Sequence, residues 1–190
     1  SESGMNVIVR NKGHWTADSL FQRVKKFRKR TVSNWIFSEP QYKHVTPRYM
    51  IEKLFQPIPQ DYKLIVTDGR PVLLWVDSER FAKHTKTVFR VREDFSTVLL
   101  PDCTWNHEPD PSVVLPPQPV IREMCDIAMR FAEEINLPMF RIDLYYIDSM
   151  IYGGEITFTS GAFAAKISPA CAEYSSGMNN EISARVAAIR

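Results

Sequence analysis

The sequence predicts an α+β fold built from antiparallel β-hairpins and amphipathic helices. An Asp-Gly pair at positions 68 and 69 separates two strand-like runs, 61–67 and 71–77. Such a pair supplies the positive φ angles that a tight hairpin turn needs. A second strand–turn–strand pattern surrounds Asp148 and Ser149, and apolar residues recur at helical spacing between the two patterns. Hairpins joined through a helix are typical of an α+β domain.

The composition indicates a folded chain with its own core. The chain has 190 residues, of which 44% are apolar and 12% aromatic, and its formal net charge is +2. These values exclude a disordered tail, a collagen-like repeat and a disulfide-stapled mini-protein. No apolar run approaches the roughly 18 residues that a membrane-spanning helix requires. A charge this close to zero indicates no particular partner, and no nucleic-acid partner is expected.

The cysteines indicate neither a zinc site nor a disulfide framework. Cys103, Cys125 and Cys171 lie far apart, are odd in number and form no CxxC pair. We therefore expect a reducing, cytoplasmic setting. The first twenty residues lack a continuous apolar stretch, so no signal peptide is expected. Cys125 lies within an apolar helical pattern and is expected in the core.

Three elements are predicted in the first third of the chain. Residues 6–10 predict a short strand, and Thr16 is placed to cap a helix that runs from residue 17 to about residue 30. Residues 48–55 predict a further strand.

A run of basic residues lies within the first predicted helix. Leu20, Val24 and Phe27 recur on one side of it, so the basic residues form the outer face of an amphipathic helix. A solvated helix face is favoured over a polyanion site, which stays open as an alternative. The basic residues are Arg23, Lys25, Lys26, Arg28, Lys29 and Arg30.

The rest of the chain alternates strands with one long helix. Residues 86–91 predict a strand after the first hairpin, and six prolines between residues 101 and 119 indicate an extended surface connection. A helix follows over 120–135, and the second hairpin spans 139–147 and 151–158. The chain ends in a predicted short helix with Ile182, Val186 and Ile189 on one face. The apolar face predicted for the long helix consists of Val120, Met124, Ala128, Phe131 and Ile135.

The second hairpin carries the candidate chemistry. Arg141 and Asp143 share one face of a strand, because strand side chains alternate, and Glu155 and Thr157 share one face of the next strand. Two carboxylates that face the same way suit Mg²⁺, which prefers oxygen ligands, and an adjacent Arg can stabilise negative charge on a transferring group. The alternative is a surface ladder of cross-strand ion pairs, and the spacing alone favours that ladder.

Several motifs, in order along the chain, resemble the TupA-like ATP-grasp family. The strand Arg141-Ile142-Asp143-Leu144-Tyr145 is similar to the metal-binding strand of ATP-grasp enzymes, and Gly154-Glu155-Ile156-Thr157-Phe158 is similar to the strand that follows it in this family. The resemblance covers residues 3 to about 161 and reverses the preference for a surface ladder. Further matching segments are 3–9, 49–54, 61–63 and 77–81.

This resemblance implies an ATP-grasp fold, in which two α+β subdomains with antiparallel sheets clasp ATP. Residues 1–54 would form the subdomain of the glycine-rich loop and helix, up to the hinge strand. Residues 55–190 would form the C-terminal subdomain with the metal-binding hairpin. The family's N-terminal domain is expected to be absent, so that Ser1-Glu2-Ser3-Gly4 is a cut edge within a phosphate loop.

The resemblance also implies residue roles. Asp143 and Glu155 would hold Mg²⁺, with Thr157 where most ATP-grasp enzymes have Asn, and Arg141 would steady an acyl phosphate. Arg80, His84 and Lys86 would meet the γ-phosphate or the acid substrate, although for His84 alone a surface histidine is the favoured interpretation. ATP would be bound by Ser3 and Gly4 at the phosphates, by Glu52, Lys53 and Leu54 at adenine, by Asp61 near the ribose, and by Lys63.

The implied activity is an ATP- and Mg²⁺-dependent carboxylate–amine ligase that forms an amide through an acyl phosphate. The resemblance places it in cell-surface polysaccharide biosynthesis, with a small-molecule or glycan carboxylate and an amine as substrates. Two alternatives stay open: a degenerate ATP-grasp module that binds or scaffolds without catalysis, and a polyanion-binding protein that uses the basic helix.

Overall fold

The chain divides into two compact units in the computed structural model. They are Ser1–Ile58 and Pro59–Arg190. The structure describes residues 6–29, 46, 48–78, 84–104, 107–158 and 168. The expected subdomain boundary between residues 54 and 55 stays a prediction.

The first unit contains the basic amphipathic helix. Helix α1 spans Ala17–Lys25, and a 3-10 helix continues it over Lys26–Lys29. Its first turn is closed by a reciprocal capping box: the Ser19 backbone N–H donates to Thr16 Oγ1 at 3.1 Å, and the Thr16 N–H donates to Ser19 Oγ at 3.0 Å. Leu20 and Val24 are half-buried. The predicted helix and its Thr16 cap are confirmed.

Two predicted strands of this unit are wrong. Residues 6–10 and 48–55 form no strand, and Ile51 is 97% exposed. Apolar and β-branched residues favour extended backbone, but a strand also needs a neighbour that accepts its hydrogen bonds. Within the described ranges, every strand pairing lies in the second unit. The predicted helix around 182–189 lies outside the described residues.

The second unit is built on one six-stranded antiparallel sheet in the order β4-β3-β2-β1-β5-β6. The central strand β1 pairs with β2 on one side and with β5 on the other, which joins the two hairpins. The strands are β1 Asp61–Thr67, β2 Arg70–Ser78, β3 Thr85–Val91, β4 Thr97–Leu99, β5 Met139–Ile147 and β6 Met150–Thr157.

Both hairpin turns have the predicted two-residue form. Asp68 and Gly69 adopt φ angles of 53° and 81°, and Asp148 and Ser149 adopt 50° and 62°. Two successive positive φ angles define the turn whose twist matches that of paired strands. The Asp-Gly and Asp-Ser hairpin predictions are confirmed.

Helix α2, Gln118–Ile135, packs on one face of the sheet. Cys125 is fully buried there, as predicted, and burial raises the pKa of its thiol to about 12. The buried face of α2 differs from the predicted one, since Phe131 was expected on the apolar face but is 41% exposed. The buried residues of α2 are Ile121, Met124, Cys125, Ala128 and Ala132.

The opposite face of the sheet carries a smaller apolar cluster. Ile65, Leu73, Trp75 and Val88 come from β1, β2 and β3, and the segment after β4 adds Leu100 and Cys103. The Cys103 sulfur is disulfide-bonded, so the expectation of no disulfide is wrong. Disulfides are typical of oxidising compartments, and cysteine usage therefore gives no support for a reducing setting.

The described residues include no helix that is both long enough and apolar enough to cross a bilayer.

We expect Phe140→Ala to lower the free energy of unfolding by about 3–5 kcal/mol, because it empties a fully buried site between the sheet and α2. Phe131→Ala on the exposed side of α2 is the matched control, with an expected change within about 0.5 kcal/mol. Denaturant unfolding measures both, and equal losses would contradict the assigned core.

Candidate functional site

The face of the sheet opposite α2 gathers charged and polar side chains from five strands, β1, β2, β3, β5 and β6, which we call the polar cluster. Directly opposed residues in a ladder point to the same face. The register opposes Lys63 to Asp143, Asp143 to Glu155, and Arg141 to Thr157. On the other side of β1, the register opposes Asp61 to Asp77 and Asp77 to Lys86. The polar cluster comprises Asp61, Lys63, Asp77, Lys86, Arg141, Asp143, Glu155 and Thr157.

A β-bulge brings Glu155 into the polar cluster. From the turn up to Leu144, which opposes Gly153, the hairpin pairs residue by residue, but the register then shifts and Asp143 opposes Glu155. Gly154 is the extra residue. If the hairpin had no bulge, Asp143 would oppose Gly154, and the side chain of Glu155 would point toward α2 instead.

Gly154 is the residue type that this bulge requires. A Cβ atom added at Gly154 would lie 2.7 Å from Cε2 of Tyr145 and 3.1 Å from the backbone oxygen of Asp143. Gly153 has no neighbouring atom within 4 Å of its own added Cβ. The absent side chain at Gly154 therefore lets β5 approach closely at the site.

Lys63 lies at the centre of the polar cluster. Its Nζ is 2.8 Å from Asp61 Oδ2 and 3.9 Å from Asp77 Oδ2, and it also donates to Asp143 Oδ2. All four side chains are buried. Buried charges of one sign are costly unless they are paired, so Lys63 is the counter-ion that lets three carboxylates share this face.

Arg141 forms a two-pronged contact with Asp143. Its Nε donates to Asp143 Oδ1 at 2.6 Å and its Nη2 to Asp143 Oδ2 at 2.8 Å, while Nη2 lies 3.8 Å from Glu155 Oε2. Burial disfavours the charged guanidinium, but the hydrogen bond and the charge of Asp143, then the charges of Glu155 and Asp61, outweigh it. They hold the pKa of Arg141 above its ordinary value.

Asp77 is a member of the polar cluster that was not among the predicted site residues. Its Oδ1 lies 3.9 Å from Lys86 Nζ and 3.7 Å from His84 Nε2. Lys86 also lies over the ring of Trp75, 5.0 Å from the centroid. The alternation of Leu73, Trp75 and Asp77 on β2 is a signal that could have identified it.

His84 makes more contacts than the favoured surface-histidine interpretation assumes. Besides its approach to Asp77, its ring centroid lies 3.9 Å from that of His107, with the rings tilted by 42°. Its side chain is 17% exposed. His84 therefore borders the polar cluster.

The donor set fits a hard cation. Asp143 and Glu155 oppose each other, Glu155 is 52% exposed, and the buried Thr157 Oγ1 has no hydrogen-bond partner within the described ranges. Asp143 is held by Lys63 and Arg141, but a carboxylate has about four lone-pair positions. No group of three or more His, Cys, Asp or Glu side chains in the described part of the chain is arranged to hold a metal. The available ligands are therefore two carboxylates and one hydroxyl, which suits Mg²⁺ when phosphate oxygens and waters complete its shell.

The other predicted site residues lie elsewhere. Glu52 and Lys53 are exposed and Leu54 is half-buried in the first unit, where Lys53 Nζ lies 5.0 Å from the centroid of the Phe55 ring. The remaining three, Ser3, Gly4 and Arg80, lie outside the described residues.

We expect Gly154→Ala to lower the free energy of unfolding by about 1–3 kcal/mol, because the new Cβ must displace the Tyr145 ring or the bulged backbone. Gly153→Ala is the matched control, since its added Cβ meets no atom within 4 Å, and its expected change is within about 0.5 kcal/mol. Denaturant unfolding compares the two, and an equal loss in both variants would contradict this role for Gly154.

Comparison with known proteins supplies the family. A family model described as TupA-like ATPgrasp matches residues 1–177 of the 190-residue chain. No curated protein and no solved structure matches the chain. The antiparallel sheet and its helices confirm the predicted α+β class, and the family match indicates a ligase-type, ATP-binding fold. The chain therefore belongs to the TupA-like ATP-grasp family.

Proposed function

We propose that this protein is an ATP- and Mg²⁺-dependent ligase that joins a carboxylate to an amine through an acyl phosphate. One observation carries the proposal: Asp143 and Glu155 oppose each other on one face of the sheet, with Arg141 and Thr157 beside them. This arrangement occurs in a chain of the ATP-grasp family.

In this proposal Asp143 and Glu155 hold the metal ion, with Thr157 as a neighbouring oxygen donor. Bound Mg²⁺ supplies positive charge that neutralises the phosphate oxygens of ATP. The exposed side of Glu155 supports access from solvent. The buried Asp143 is held in place by Arg141, so that one carboxylate is fixed and the other is adaptable.

The cationic side chains of the site position and stabilise the transferring phosphoryl group. An oxygen of the substrate carboxylate attacks the γ-phosphorus, the bond to the β,γ-bridging oxygen breaks, and ADP leaves. The amine then attacks the acyl carbon, phosphate leaves with the electron pair of its bond, and an amide results. We propose that Arg141 and Lys86 stabilise the negative charge that develops. Arg80, which lies outside the described residues, is proposed to do the same.

Binding of ATP is assigned residue by residue from the family resemblance. Glu52, Lys53 and Leu54 are proposed at adenine and Asp61 near the ribose. Ser3 and Gly4 are proposed at the phosphates. Lys63 is proposed as a further ATP contact.

The cellular context is proposed on family resemblance alone. We propose a role in cell-surface polysaccharide biosynthesis, with a glycan or small-molecule carboxylate and an amine as substrates. A cytoplasmic location is proposed because ATP is available there.

A second candidate function is nucleotide binding without catalysis. The ion pairs of Asp143 with Lys63 on β1 and with Arg141 on its own strand favour it, because they balance the charge of Asp143 without a metal. Binding of ATP without formation of ADP is the outcome that distinguishes this candidate from the ligase. The polyanion-binding alternative is less favoured, because the basic residues of α1 form the exposed side of an amphipathic helix.

We expect Glu155→Gln to weaken Mg²⁺-dependent binding of a non-hydrolysable ATP analogue about tenfold or more, because it removes one charged ligand from the proposed metal site. Isothermal titration of the 190-residue chain, with and without Mg²⁺, measures this change. Glu155 is a suitable position because its exposed side chain makes the variant tolerable for folding.

Glu123→Gln, on the exposed side of α2, is the matched control and should bind the analogue as the natural chain does. Equal affinities of the natural chain and Glu155→Gln in the presence of Mg²⁺ would sink the metal assignment. Absence of ATP-analogue binding in the natural chain would sink the proposed function itself.

We expect Arg141→Lys to slow the ADP formation that depends on the carboxylate substrate about a hundredfold. A lysine cannot replace the two-pronged contact of the guanidinium group with Asp143. Hydroxylamine serves as the amine, and its reaction with an acyl phosphate releases phosphate and leaves a hydroxamate that can be measured. Arg130→Lys on the exposed side of α2 is the control. ADP formation that persists unchanged in Arg141→Lys argues against this role, and ATP binding without any ADP or hydroxamate favours the second candidate.

A further inference from the structure

A cavity of about 750 Å³ lies at the edge of the sheet where β2 begins and β3 ends. Arg70, Arg90 and Arg92 line it together with an apolar surface. Its volume falls in the range of sites for small-molecule ligands, about 300–1,000 Å³. Neither the family resemblance nor the proposed ligase mechanism uses this cavity.

The three arginines are available to a ligand. All three are exposed, and none forms an ion pair within the described part of the chain. Guanidinium groups present a planar set of donors that matches the two oxygens of a carboxylate or the oxygens of a phosphate. Three of them around one concavity favour a ligand that carries an oxyanion.

The acidic residues beside the cavity neutralise only part of this positive charge. The carboxylate of Asp94 accepts hydrogen bonds from the Ser96 hydroxyl at 2.6 Å and the Ser96 backbone N–H at 2.9 Å. The hydrogen bonds from Ser96, and then the charge of Arg92, hold its pKa below the usual value. Glu93 is the other acid that lines the cavity and is exposed to solvent. The arginines therefore outnumber the acids.

The wall of the cavity also includes an aromatic ring. Phe95 adopts a φ of 65°, its backbone N–H donates to the oxygen of Arg92 at 2.9 Å, and its ring lies 5.1 Å from the guanidinium carbon of Arg122. The unusual backbone and the stacked Arg122 fix the position of the ring. The ring can pack against the body of a ligand whose charged group meets the arginines.

The cavity is separate from the polar cluster. Leu73 and Asp77 share a face of β2 and are four residues apart, which is about 13 Å along a strand. Trp75 lies between them and is covered by Leu100 and Cys103 from the segment after β4. One small acid therefore cannot contact the arginines and Asp143 at the same time.

We propose that this cavity is a second binding site, for a small molecule that carries a carboxylate or phosphate on a ring-shaped body. The arginines bind the oxyanion, and Phe95 contacts the ring. The proposal does not depend on the ligase function, because it involves no residue of the polar cluster.

Amide chemical shifts of the isotope-labelled full chain test it with three probes that share one ring: D-glucuronate, D-glucose 6-phosphate and D-glucose. We expect the two charged sugars to shift the amides of residues 91–95, and glucose to leave them unchanged. The tighter of the two charged probes identifies carboxylate or phosphate as the natural group. Absence of these shifts with both charged probes, or equal shifts with glucose, overturns the proposal.

The double variant Arg90→Gln/Arg92→Gln is expected to weaken binding of the charged probes about tenfold or more, because it removes two charge-assisted contacts to the oxyanion. Arg130→Gln on α2 is the matched control, and the spectra themselves report whether each variant is folded. Unchanged affinity in the folded double variant overturns the assignment. Glu155→Gln should leave this binding unaltered, so that failure here is distinct from failure of the ATP site.

Discussion

The buried ammonium group of Lys63 is the interaction on which the candidate site depends. It lies on the central strand and meets carboxylates from its own strand and from both neighbours, Asp61, Asp77 and Asp143. Carboxylates that share a buried face repel one another unless a cation lies between them. The ammonium group of Lys63 supplies that cation for all three. Arg141 pairs with Asp143 as well, and it also approaches Glu155 on the edge strand β6, where the Glu155 side chain reaches solvent.

The two faces of the sheet have different roles: one packs against α2 and stabilises the fold, and the other carries the charged site. Alternate residues of β1 and β5 pack against α2, and the residues between them form the polar cluster. A slip of one residue in any pairing would exchange the two sets and place charges against the helix. The bulge at Gly154 makes such a slip within the β5–β6 hairpin, which moves Glu155 and Thr157 to the charged side.

Sequence reasoning reached those features that local chemistry determines. The hairpin turns at 68–69 and 148–149 and the α2 helix follow from residue types and spacing within a few positions. The strands predicted at 6–10 and 48–55 were wrong, because strand formation depends on a partner that pattern alone does not supply. Residue counting from the tight turn opposes Asp143 to Gly154, one position short of Glu155, because a bulge depends on close approach between strands. Asp77 was missed as a site residue because its partners Lys63, His84 and Lys86 reach it through strand pairing, and the spacing of residues alone does not supply that register.

The strand order also has a consequence for how the protein folds. Strands β1 to β4 and the pair β5–β6 each close through short connections, whereas the β1–β5 pairing joins residues as distant as Lys63 and Asp143, which are 80 positions apart. Contacts of such high sequence separation form at a large entropic cost and slow folding. The contact between Lys63 and Asp143 exists only after this non-local docking has occurred. It is therefore a marker of the completed topology, whereas Arg141, Asp143, Glu155 and Thr157 already lie together on the β5–β6 hairpin.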